Sequence, residues 1–189
     1  MTTDPATPPT APGPSSPDQV RLALPAEAAS ISAIQRRGWE QLLPPAVARE
    51  ALAGVDLATM SSSWESAILR PPLAKFRVLV AVGGSRVVGF AAVGPADEPD
   101  THPGDDALVG EFVIDPRAQR AGHGSRLLNA IADTLRADGF STAYWWVRSA
   151  DDPLRAFLAS AGWGPDGAYQ TVNSPDGTPL KMLRYHTAL

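Results

Sequence analysis

The sequence predicts an α/β fold: a mixed central β-sheet of about seven strands, flanked by helices on both faces. Three observations predict it. The stretch Val109–Leu135 reads as an apolar strand, an Asp115-Pro116 stop, a glycine-punctuated loop and an amphipathic helix. Phe76–Val82 and Arg86–Val93 flank Gly83-Gly84, a two-residue turn signal, so the early strands pair antiparallel. The helix after the central strand leads to another strand, Phe140–Val147, and such a crossover makes that pair parallel.

The remaining elements follow in order. Residues 1–18 carry prolines at 5, 8, 9, 12, 14 and 17 among Thr, Ala, Ser and Gly, which is the composition of a disordered tail. Residues 19–189 then form one domain, and the length allows a sizeable core. Gln19–Leu24 alternates Val20, Leu22 and Leu24 and reads as a first strand. Pro25 starts a helix through Arg37, with Ala29, Ile31, Ile34 and Trp39 on its buried face, and Pro44-Pro45 breaks it. Ala46–Leu57 reads as a short helix. Ser62 or Ser63 would cap a third helix that runs to Leu69, with Glu65 in its first turn. Pro95–Asp106 is an acidic loop. Leu127, Leu128, Ile131, Ala132 and Leu135 form the apolar stripe of the helix after the central strand, which Gly139 closes. Trp145 and Trp146 point to opposite faces of the next strand. Asp151-Asp152-Pro153 opens a helix to Ala161, and Ala168–Val172 and Leu180–Tyr185 make a last hairpin around Asn173–Gly177.

Composition excludes several classes of function. Hydrophobic residues at 44% and charged residues at 19% are ordinary for a globular chain. A formal net charge of -4 argues against a nucleic-acid-binding protein. With no cysteine there is no disulfide, thiolate nucleophile or zinc–thiolate site, and the three histidines lack metal-ligand spacing, so no metal is expected. No apolar run reaches the ~20 residues that span a bilayer, and the start of the chain lacks a signal-peptide layout, so the expectation is a cytoplasmic protein without membrane partners.

The loop carries the chemistry. Unpaired N–H groups at a helix start, reinforced by the helix dipole, bind anions, and Gly122 and Gly124 let a phosphate approach the backbone. A nucleotide-triphosphate loop would need Lys then Ser or Thr after its last glycine, where Ser125-Arg126 stand. The dinucleotide fingerprint would need glycine at Leu127 and an acidic residue near Tyr144-Trp145-Trp146. Gln119, Gly122 and Gly124 instead resemble the Q/R-x-x-G-x-G/A loop of the GNAT acetyltransferase superfamily, and the element order over Val20–Tyr185 is that of its fold. The resemblance implies acetyl-CoA as co-substrate, with its pyrophosphate on the backbone of Gln119, Arg120, Ala121, Gly122, His123, Gly124 and Ser125. It also implies a pantetheine arm and an oxyanion served by strand amides around Val113 or Ile114. A second motif of that family, N-x-x-A-x-x-F-Y-x-x-x-G-F, is matched by Phe157, Gly162 and Trp163; Asp151 stands for its Asn, Leu154 for its Ala and Leu158 for its Tyr. Asp151 is carried over as a cofactor contact, whereas Leu158 cannot protonate a leaving thiolate as that Tyr does. Tyr169 and Tyr144 are the substitutes at hand.

The implied reaction is acetyl transfer to a primary amine of a small molecule or an amino-terminus. Such an amine arrives protonated and needs a base. Glu111, the only ionisable residue within the central strand, is the candidate, since burial would raise its pKa. The other readings of Glu111 are an ion pair with an arginine or a solvent-facing place at a strand edge. His123 reads either as a phosphate contact or as a solvated loop residue. The acidic run Asp97–Asp106 reads as an attractor for a cationic acceptor or as a solvated loop. Homodimers, common among such proteins, are compatible with the sequence. The alternative function is a catalytically quiet module of the same fold that binds acyl-CoA.

Overall fold

The turn Gly84-Ser85 closes a hairpin of β2 (Arg77–Gly83) and β3 (Arg86–Pro95), around which a computed structural model arranges the chain; it describes residues 18–174 and 177–189. The expected tail lies outside the described residues as far as residue 17, and so do residues 175–176 of the last turn. The other elements are β1 (Gln19–Leu22), α1 (Ala28–Leu42), α2 (Pro45–Ala53), α3 (Leu57–Leu69), β4 (Asp106–Ile114), α4 (His123–Ala137), β5 (Thr142–Arg148), α5 (Asp152–Ser160), β6 (Gly164–Asn173) and β7 (Pro179–Ala188). They build one seven-stranded sheet in the order β1-β2-β3-β4-β5-β7-β6. Every neighbouring pair is antiparallel except β4–β5, the pair joined by the α4 crossover.

The sheet is covered on both faces. On one face Leu127, Leu128, Ile131 and Leu135 of α4 and Leu158 of α5 pack on Val109, Trp145 and Val147. On the other, Ile31 and Ile34 of α1 pack on Val80, Phe90 and Val113. Burial on two faces explains why the middle strands read as continuous apolar runs rather than alternating ones. Trp145 lies in the α4 and α5 core, and Trp146 points to the α1 side. No helix among the described residues is long and apolar enough to cross a membrane.

Several boundaries differ from the sequence reading, each for a local reason. β4 begins at Asp106 rather than Val109, because Asp106–Leu108 pair with Thr142–Tyr144. The third helix starts at Leu57 because Asp56 caps it, accepting from the Thr59 N–H at 2.7 Å. Ser62 and Ser63 therefore lie inside the helix, with the Ser63 hydroxyl donating back to the Thr59 carbonyl. The first helix continues past Arg37 to Leu42 and buries Ala28 rather than Ala29, with Trp39 half-buried. The first strand ends at Leu22 rather than Leu24, which instead precedes a short helical turn at Pro25–Glu27, and both leucines remain about half exposed.

Candidate functional site

β4 and β5 are bonded for only three residue pairs, Asp106–Leu108 against Thr142–Tyr144, and then part. From Val109 onward β4 has a partner on its β3 side alone. Gly110 is the extra residue of a bulge opposite Ala92 and Val93, which bends β4 where the two strands separate. The Asp115 N–H donates to the Val88 carbonyl, so in the alternating antiparallel ladder Glu111 and Val113 also turn their N–H groups to β3. Phe112 and Ile114 consequently turn theirs into the opening. Of the two strand amides considered from sequence, Ile114 faces the gap and Val113 faces β3.

The strand ends on a pinned turn. Asp115 accepts from the Arg37 guanidinium at 3.3 and 2.6 Å and from the Arg117 N–H at 3.1 Å. Burial pushes the Asp115 carboxyl up, but those hydrogen bonds outweigh it and hold the pKa below the ordinary aspartate value. The loop then delivers the chain to α4 through two left-handed residues, Arg120 at φ 64° and Gly122 at φ 79°. The N–H groups of His123, Gly124 and Ser125 open α4 and have no acceptor among the described residues. An ideal Cβ on Gly124 would lie 3.7 Å from Phe157 and 3.8 Å from Ile114, so the helix start sits at the mouth of the β4–β5 opening. Gln119, Arg120, Ala121, Gly122 and Ser125 are exposed there.

The His123 side chain is neither solvated nor turned out toward a ligand, and only its backbone N–H faces outward at the helix start. Its ring is 7% exposed and turned under β2, where a Cβ on Gly83 would meet it at 2.9 Å. Arg126 braces the loop from behind: one guanidinium nitrogen lies 2.9 Å from His123 Nδ1, 3.3 Å from the Ala121 carbonyl and 2.6 Å from the Asp18 carboxylate. The exposed cations left to face a ligand are Arg117 and Arg120.

Glu111 projects toward α1. Its partner there is Gln35, whose Nε2 donates to Oε1 at 3.1 Å; the Gln35 carbonyl oxygen in turn accepts from Trp64 Nε1 at 2.8 Å. No arginine pairs with Glu111 among the described residues. Burial pushes its carboxyl above the ordinary glutamate value, and the Gln35 hydrogen bond pulls it part of the way back. Neither Gln35 nor Trp64 was identified from sequence. A signal was available, because Gln35 stands one turn after Ile31 and beside Ile34 on the buried stripe of α1, where a polar residue needs a partner.

On the far side of the opening, Asp151 caps α5, accepting from the Leu154 N–H at 3.2 Å and from Arg148 at 3.1 Å. Leu158 is fully buried. Tyr169 is 67% exposed under Lys181, and Tyr144 lies beneath the Arg184 guanidinium. Most of the acidic run is a solvated loop, with Asp97, Asp100 and Asp105 exposed, but Glu98 and Asp100 are tied to Arg184 at 2.8 and 2.5 Å, and Glu98 also accepts from the Trp146 indole. Beside that latch, on the α1 side, a cavity of about 350 Å³ is lined by Leu43, Trp146, Leu154, Val172, Leu180 and Met182.

A sequence model of the acetyltransferase (GNAT) family matches residues 46–163. Among curated proteins none matches by sequence. Among solved structures, the fold resembles a ribosomal-protein-alanine N-acetyltransferase from Brucella melitensis, with TM-score 0.73 and 23% identity over 90% of this chain and 99% of that one. It also resembles yncA from Salmonella typhimurium, solved with acetyl-CoA, at TM-score 0.72 and 21% identity over 92% and 95% of the two chains. An N-acetyltransferase from Staphylococcus aureus Mu50 matches at TM-score 0.73 and 16% identity, over 92% and 99%.

Proposed function

The chain belongs to the acetyltransferase (GNAT) family, and on that premise we propose that it moves an acetyl group from acetyl-CoA to a primary amine of a small molecule or an amino-terminus, both substrates being bound at once. One observation carries the reading. A β4 edge with unpaired amides leads into a glycine loop whose helix-start N–H groups have no acceptor among the described residues. Such an edge can pair with an amide-bearing pantetheine arm as a strand would, and such a helix start holds a pyrophosphate. The cradle fits the co-substrate, with Gln119, Arg120, Ala121, Gly122, His123, Gly124 and Ser125 as its backbone and Ile114, beside Val113, at the thioester end. Asp151 borders the cofactor from α5.

Glu111 removes the proton from the acceptor ammonium. The freed amine attacks the thioester carbonyl, the C–S bond breaks so that CoA leaves as the thiolate, and the second proton shed by the newly acylated nitrogen passes to solvent. The Ile114 N–H stabilises charge developing on the carbonyl oxygen. A thiol pKa near 8.5 makes the thiolate a tolerable leaving group, so the buried Leu158 need not be replaced by an acid. The apolar cavity beside Trp146 accommodates the carbon skeleton of the acceptor. We place the reaction in the cytoplasm, in the single domain of residues 19–189.

Leu158, buried where a Tyr acid would be, is the observation that favours the second reading, a quiet acyl-CoA-binding module. Calorimetric titration of acetyl-CoA, with CoA and ATP as controls, tests the shared part. Gly124 has ordinary room for a Cβ, so Gly124→Trp should fold while its ring fills the mouth of the opening and abolishes saturable binding. Absence of binding to the wild type overturns both readings. Binding with CoA release from a panel of amines supports the enzyme; binding without release under any of them leaves the module.

A further inference from the structure

The polar chain Trp64–Gln35–Glu111 crosses three elements. Trp64 sits on α3, Gln35 on α1 and Glu111 on β4. An amide side chain can present either end, oxygen or NH₂, by a half-turn about its last bond. Indole nitrogen is a donor only. With Trp64 Nε1 donating to the Gln35 oxygen at 2.8 Å, the NH₂ end is the one turned to Glu111, at 3.1 Å. Trp64 is itself held by an edge-on contact with the fully buried Phe90, ring centroids 5.1 Å apart, so the indole is a fixed reference.

We propose that Trp64 and Gln35 are positioning residues for the proton transfer at Glu111: Trp64 locks the Gln35 amide so that it presents a donor to the carboxylate and fixes its orientation on the α1 side of β4. The proposal rests on the reading of Glu111 as the base. The surrounding charges leave this relay as the direct influence on Glu111. On α1, Arg37 is bound to Asp115 at the end of β4, and Arg36 pairs with Glu40. On β5, Arg148 is bound to Asp151 and to the Leu42 carbonyl, and Tyr144 lies against Arg184. On α3, Glu65 is exposed; at the start of β4, Asp106 accepts from the His102 N–H. β3 carries no ionisable side chain but Arg86 at its exposed end. A donor aimed at a buried carboxylate favours its charged form; an oxygen aimed at it disfavours that form.

The experiment follows the Glu111 carboxyl directly, by ¹³C NMR titration of carboxyl-labelled glutamate, with Glu111→Gln to assign the signal. Wild type, Gln35→Met, Trp64→Phe and the double variant are compared, with acetyl-CoA binding as the check on folding. Trp64→Phe keeps a ring against Phe90 and removes the donor together with part of the indole's volume. Its Glu111 midpoint should move up, Gln35→Met should move it further up, and the double variant should add nothing to Gln35→Met, because Trp64 acts through Gln35. In the same order the acid limb of kcat/KM for a turned-over amine should move to higher pH, with a loss of roughly three- to tenfold below the wild-type midpoint and none on the plateau. A midpoint unmoved in Trp64→Phe, or effects that add in the double variant, overturns the relay. Midpoints that move while the rate profile stays in place keep the relay and overturn the base reading of Glu111.

Discussion

Replacing Glu111 by glutamine should slow turnover and, above the acidic range, stabilise the protein. In an unfolded chain a glutamate titrates near pH 4.3. In the fold burial raises that value, and Gln35 reverses only part of the rise. The folded state then binds the proton more tightly than the unfolded state. Stability from this group is fully present below the unfolded pKa, declines as pH rises toward the folded pKa, and stays low above it. A glutamine never ionises, and its carbonyl oxygen can still accept the Gln35 N–H, so the decline is absent from the variant. The two proteins should match in stability near pH 4 and diverge as pH rises, the variant melting higher at pH 7.5. Each unit by which the fold raises the carboxyl is worth about 1.4 kcal/mol, and each kcal/mol about 2–4 °C in a domain of this size. Turnover should fall by ~10²–10⁴, the usual worth of a positioned base, or about 3–5 kcal/mol of barrier. Thermal melts at pH 4, 5.5 and 7.5, with thiol-release kinetics at pH 7.5, give both readouts. A difference in melting temperature that ignores pH, or a variant less stable at pH 7.5, refutes the burial argument; undiminished turnover refutes the base.

Two further substitutions probe what holds the site in place. A methyl group on Gly38 of α1 would lie 2.7 Å from the Val113 side chain, so Gly38→Ala should lower the urea midpoint. Overpacking costs about 1–3 kcal/mol, against a helix-propensity gain of about 1 kcal/mol, and pairing it with Val113→Ala should restore stability. Arg184, 7% exposed, joins Glu98, Asp100 and Asp166. Arg184→Met should destabilise by about 3–5 kcal/mol at pH 7, because the shielded Glu98 and Asp166 lose their counter-charge. Arg184→Lys, which keeps the charge, should lose less than Arg184→Met in urea unfolding at pH 7; an equal loss in both would mean that packing, not charge, is what Arg184 supplies.

The sequence by itself determined the class of fold and the place of the loop, because both depend on short-range patterns. Gly83-Gly84 signals a tight turn, which the structure forms one residue later, at Gly84-Ser85, with Gly84 at φ 60°. The Val109–Ile114 run, Asp115-Pro116 and the stripe from Leu127 to Leu135 specify strand, stop and helix within thirty residues. Gly122 adopts φ 79° as a glycine at a helix start can. Boundaries were less legible where two local signals competed, as when Asp56 rather than Ser62 or Ser63 capped α3. What only the tertiary structure decided is which distant side chains meet. Gln35 reaches Glu111 across 76 positions, and Arg184 reaches Glu98 across 86. No periodicity within one element encodes such a pairing, because the sheet order and the packing of α1 choose the partner. The parting of β4 from β5 after Leu108 is of the same kind. It is a relation between two strands separated by a helix, and it turns a row of ordinary backbone amides into the edge on which a substrate can pair.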